Sequence, residues 1–266
     1  MPMKLSGSDR RIFKTMTSFP WDPEGGPSFY EAVEDRMLSD PGTIGIARRI
    51  IHDDPTEIVR FGCLGLRKRW RDYLSFKSSE ARCLWHSCIG AFAINDFAAI
   101  DRIVAEAPAA APETDSSPFP VYYDAMYNLF FGILRGDHEL AACAVHSMPK
   151  TNMPTYELAV ADCLVAIFAQ SPPAFSKAMT AICTSVRKIR AIDPHYKLID
   201  LTTHGVWELA FRVSPAAVEL WDVQHPLPWD AELHTWLRKG LPATDVIDDA
   251  QLSEAARDLL KMPSSA

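Results

Sequence analysis

Apolar residues along this chain recur at steps of three and four, in stretches separated by short polar corners. The most organised stretch lies between Asp193 and Asp230. Asp193-Pro194 is a helix start: an aspartate cap, then proline at the first helical position, where its missing N–H costs nothing. Leu198, Leu201, Val206 and Leu209 form an apolar stripe that Trp207 and Phe211 widen. Ser214-Pro215 then caps a second helix with Ala217, Val218, Leu220 and Trp221, and a proline-stiffened loop closed by Trp229 follows.

The same periodicity predicts helices over 28–38, 44–51, 78–94, 97–105, 121–134, 139–145, 156–168 and 173–189. Another runs from the Asp54-Pro55-Thr56-Glu57 start, which has the spacing of a capping box, to about residue 74. Asn95-Asp96, Gly136-Asp137, Ser171-Pro172 and Ser214-Pro215 each separate a longer helix from a shorter one, and their second residues lie 41, 35 and 43 positions apart. No segment alternates with period two and β-branched enrichment, so no sheet is expected. The expected fold is all-α: stacked antiparallel helical hairpins, α-solenoid or tetratricopeptide-like, without the signature residues of a named repeat.

Three parts are expected. Residues 1–26 form an irregular N-terminal arm, with Phe19 and Trp21 placed to pin it. Residues 27–240 form a single helical domain interrupted by a proline-rich loop at 107–120, and 241–266 form a tail with one weak helix at 250–261.

Composition narrows the function classes. The formal net charge is −7, opposite to the balance of a nucleic-acid binder. The N-terminus lacks the apolar core of an export signal. The longest apolar runs, 88–94 and 163–169, fall far short of the ~18 residues a membrane span needs. The six cysteines never form C-x-x-C and sit in apolar helical patterns, as expected of a reduced cytoplasmic protein.

Candidate chemistry is sparse. Asp53, Asp54 and Glu57 match the D-D-x-x-E of helical terpenoid synthases, but Pro55 sets Asp54 at a helix cap, so capping is the better reading. Asp200 and His204 stand one turn apart without a nucleophile, and a hydrogen bond between them is expected. Arg67-Lys68-Arg69-Trp70-Arg71 reads as a solvated helix face with Trp70 turned inward. No motif supports catalysis, a metal or a cofactor. Trp207, Trp221, Trp229 and Trp236 supply core aromatics or interface anchors.

The second half resembles the immunity protein 49 family of bacterial polymorphic toxin systems. The likeness spans residues 45–240 in layout. It rests on short hairpins from Tyr122, the Gly136-Asp137 corner, 156–162, Asp200, His204-Gly205, Leu209-Ala210, Ser214-Pro215 and the Pro228-Trp229 loop. The resemblance implies a cytoplasmic, non-enzymatic antidote that binds a cognate secreted toxin domain, often a nuclease, without membrane or nucleic-acid partners. Asp200, His204, Trp207 and Trp229 are the partner-binding residues expected where the likeness is densest. A helical-repeat scaffold or chaperone-like adaptor is the alternative; it would hold peptides in a concave groove.

Overall fold

Three corners of this fold use the same two-residue device. At Asn95-Asp96, Gly136-Asp137 and Gln170-Ser171 the first residue is left-handed, with φ of 56°, 67° and 49°, and stops the preceding helix. The second donates its N–H to the carbonyl five residues back: Asp96 to Ala91 at 3.0 Å, Asp137 to Gly132 at 2.8 Å, Ser171 to Ala166 at 3.0 Å. This closes a Schellman turn. That second residue is also the cap of the next helix: Asp96 accepts from the Ala99 N–H and Asp137 from the Leu140 N–H. Asp53-Asp54 shares the left-handed stop and the cap, with Asp53 at φ 55° and Asp54 accepting from the Thr56 N–H at 2.9 Å.

The computed structural model describes residues 5–16, 41–76, 81–110, 118–149, 153–189, 194–247, 257, 258, 260 and 261. Among them are eleven α-helices and no strand. They are α1 Gly7–Met16, α2 Pro41–His52, α3 Thr56–Phe76, α4 Ala81–Phe92, α5 Phe97–Glu106, α6 Pro118–Arg135, α7 His138–Ser147, α8 Thr155–Phe168, α9 Pro172–Val186, α10 Leu201–Val213 and α11 Ala231–Leu237. The pairs α2/α3, α4/α5, α6/α7 and α8/α9 pack as hairpins. Successive hairpins meet through α3 on α4, α4 on α6 and α6 on α8.

The all-α stack of hairpins is therefore as the sequence reads, but α10 departs from a one-dimensional array. It returns to lie against α4 and α8, two hairpins apart. Residues 203–210 are all buried, so α10 is enclosed on every side. At Gly205 the contact with α4 is so close that a Cβ would overlap the Ile89 carbonyl oxygen. Only glycine fits there.

Several expectations need correction. The N-terminal arm contains helix α1, which packs on α2 and on a 3-10 turn at Pro194–Lys197; Arg187 holds its Asp9 at 2.6 Å. The long helix expected from Asp193-Pro194 is that short turn instead. α10 begins only after Asp200, because Leu198 and Ile199 are buried in a non-helical link. The helix expected after Ser214 is a four-residue 3-10 turn, Pro215–Val218. The 107–120 segment is anchored at its start. Arg135 donates to the carbonyls of Val104, Ala107, Pro108 and Ala109, and the Tyr127 hydroxyl donates to that of Pro108. These satisfy the open C-terminal end of α5.

The tail docks on α3: Arg60 donates to the Val246 carbonyl and Arg67 to that of Leu260. The expected helix at 28–38, the anchors Phe19 and Trp21, and most of 250–261 lie outside the described residues.

Candidate functional site

The residues singled out by sequence converge on α10, and the reason begins with its cap. Asp200 has an extended backbone (φ −96°, ψ 102°), so its side chain folds over the first turn instead of lying along the helix face. It accepts from the Thr202 N–H at 3.2 Å, from the Thr203 hydroxyl, and from the Tyr156 hydroxyl of α8 at 3.1 Å. Complete burial pushes its carboxyl up to about 6, against the lowering effect of these donors. It makes no side-chain bond to His204, contrary to the i, i+4 expectation. Glu157, the neighbour of Tyr156, is also raised by burial and by Asp200.

His204 takes its partner from the loop that follows. Its Nε2 accepts the Asp230 N–H at 3.1 Å, which puts the ring proton on Nδ1, and Trp229 stacks on the ring at 4.1 Å and 14°. Burial pushes this histidine down to about 3, so it is neutral near pH 7. The Asp200 N–H also donates to the Pro228 carbonyl at 3.0 Å, completing the seam between α10 and the loop. Asp230 then caps α11 through the N–H groups of Glu232 and Leu233. Its carboxylate pairs with Arg49 of α2 at 2.8 Å. Arg49 is 1 % exposed and also holds Asp53 and Glu232.

Two turns along α10 the packing becomes aromatic and charged. Trp207 lies edge-on to His234 at 4.3 Å and parallel to Phe211 at 5.4 Å, and Arg238 sits 3.3 Å from the Phe211 ring centre. Glu208 is buried beneath them. Arg212 Nε and Arg238 Nη1 each stand 3.8 Å from it, and neither of its oxygens has a hydrogen-bond partner among the described residues. Burial raises the Glu208 carboxyl and, with Arg238 adding to it, lowers His234 to about 4.

The four residues expected to bind a partner are thus brought together, but inside. Asp200 and His204 have no exposed surface, and Trp207 and Trp229 are buried. A docked protein meets side chains at the solvent boundary, so in this fold these four act as internal scaffold. Asp230, Glu208 and His234, which share that interior, and Arg238 at its exposed edge, were missed. Their one local signal was the Asp230-Ala231-Glu232 helix start.

The other candidates resolve into structure. Asp53 pairs with Arg49 and Asp54 caps α3, while Glu57 pairs with Arg48 and Arg60 instead of closing a capping box. No cluster of metal-ligating side chains occurs among the described residues. Arg67 is not a solvated basic residue; it is buried and bidentate to Asp96, at 2.8 and 2.7 Å. The side chains of residues 69–71 lie outside the described set.

The outside of the molecule carries a different charge pattern. Asp101, Asp137, Glu139, Asp162, Glu219 and Asp222 are exposed and form no ion pair among the described residues. Exposed cations lie on α1, at Arg10, Arg11 and Lys14, and also elsewhere, at Lys177, Lys188, Arg212, Arg238, Lys239, Arg257 and Lys261. Among the described residues no helix is long and apolar enough to cross a membrane. Comparison of the chain with family models, with curated proteins and with solved structures found no match.

Proposed function

We propose that this chain is a cytoplasmic immunity protein that neutralises a secreted bacterial toxin domain by stoichiometric binding, and that the domain is basic, as nucleases are. The observation that carries this reading is the division of charge. Arg48, Arg49 and Arg67 are spent on internal carboxylates, while unpaired carboxylates remain outside on α5, α7, α8 and the 219–222 corner. Such a surface draws in a basic protein and repels nucleic acid. The enclosed α10 supports the same reading over a peptide-binding adaptor. It covers the faces of α4 and α8 on which a concave groove would hold a peptide.

Nothing is turned over in this mechanism. The helical frame presents fixed carboxylates, and the toxin is held away from its substrate for as long as the complex lasts. The test is co-expression with the toxin domain encoded beside this chain. Rescue of growth with a co-purifying complex is expected; continued toxicity without a complex contradicts the proposal.

A further inference from the structure

We infer that the partner docks on the corner formed by residues 213–222, with Leu220 as the apolar anchor and Glu219 and Asp222 orienting a basic partner. This inference rests on the proposed function and adds the surface. Leu220 is 59 % exposed, ahead of the other exposed large apolar side chains, Leu241 at 41 % and Val213 at 37 %. Pro215 and Ala216, in the same corner, are exposed as well.

The corner is rigid. Trp221 is buried behind Leu220, stacked by His225 at 4.9 Å and met edge-on by Trp229 at 6.0 Å. The Leu220 carbonyl accepts from the Ser176 hydroxyl of α9 at 3.2 Å, and the Trp221 N–H donates to Val218 at 3.1 Å. On the other side the Gln224 N–H donates to Asp222 Oδ1, and the Trp229 indole N–H donates to the Val223 carbonyl at 2.7 Å. Leucine held outward by such a frame loses little further freedom on binding, which is the condition for an anchor residue.

Charge selects the partner. Glu219 and Asp222 flank the anchor and form no ion pair among the described residues. Arg212, the basic residue nearest in sequence, is turned to Glu208 and over the Phe97 ring at 4.4 Å instead of to the two acids. The surface that fits is therefore an apolar recess rimmed by lysine or arginine on the toxin domain.

The test is titration of the full-length chain against the toxin domain encoded beside it, with circular dichroism confirming an unchanged fold. Leu220→Asp is expected to weaken binding by about 100-fold or more, a typical hot-spot loss, whereas Ala142→Asp on the exposed face of α7 leaves it unchanged. Glu219→Lys with Asp222→Lys is expected to slow association about tenfold at low salt, and Glu139→Lys to slow it far less. Full affinity in Leu220→Asp, or equal losses in Leu220→Asp and Ala142→Asp, overturns the surface while leaving the function standing. No binding by the unaltered chain overturns the function and the surface together.

Discussion

The α6/α7 hairpin and the α10 core are both helical and both buried, yet they are built on opposite terms. In the hairpin, Gly136-Asp137 closes one helix and caps the next, and the interior is alanine, methionine and aromatic. Its corner is closed and capped within a few residues, and its longer polar contacts, from Tyr122, Tyr127 and Arg135, go only to backbone carbonyls of neighbouring segments, at Glu157, Val104 and 107–109. In α10, eight consecutive buried positions include Thr203, His204 and Glu208. Thr203 bonds to the cap Asp200, which Tyr156 of α8 also holds, while His204 takes its partner from the 228–230 loop and Glu208 faces Arg238 at the end of α11. A local code suffices for a hairpin, whereas a polar helix at the centre depends on contacts between distant segments.

The sharpest way to break that comparison is to remove Arg49. Arg49→Ala leaves Asp230 buried without its counter-charge and is expected to cost about 3–5 kcal/mol in denaturant unfolding, the range for breaking a buried pair. Next is Gly205→Ala, which drives a methyl group into the Ile89 carbonyl. About 3 kcal/mol is expected, at the upper end of overpacking.

pH separates the two regions without mutation. His204 and His234 titrate near 3 and 4 in the native state, below the ordinary 6.5, so the unfolded chain takes up their protons first. Stability from these two is present above about pH 6.5 and lost as pH falls toward 4. Asp200 works in the other direction: its native value of about 6 lies above 3.8, so the native state gains a proton, and stability, between those values. Glu157 and Glu208, also raised by burial, act with Asp200 and reduce the fall in unfolding free energy that the two histidines set from pH 7.5 to 5. His204→Gln is expected to flatten that fall and Asp200→Asn to steepen it, both measured by urea titration at each pH. A slope that is the same in all three proteins contradicts the assignment. The smallest effect is expected at the hairpin corner, where Asp137→Ala removes one cap and costs about 1 kcal/mol in thermal unfolding.

The contrast also explains what could be read from sequence. Asn95-Asp96 and Gly136-Asp137 were legible because a left-handed residue followed by a cap is a local instruction. At Asp53-Asp54 the cap is written by Pro55 but the left-handed stop is carried by an aspartate, a weaker signal than glycine or asparagine. α11 has only seven residues, too few for a periodic apolar pattern, and Asp230 is its one local signal. The interior placement of Asp200 and His204 could not be read locally, whereas Trp207, in the apolar stripe, and Trp229 could be read as core aromatics. The placement of the first two follows from α10 returning to α4 and α8, which nothing in the residues around it encodes. Arg49 and Arg67 look like solvent residues until Asp230 and Asp96, 181 and 29 positions away, are folded against them.

The most direct test of the central claim is to titrate toxin activity against increasing amounts of this chain. Stoichiometric neutralisation predicts residual activity falling in a straight line to zero at a fixed molar ratio, with recovery when the complex is dissociated. Loss of activity at a small fraction of that ratio would mean the chain turns over its target as an enzyme. Full activity at molar excess would mean it is not that toxin's antidote.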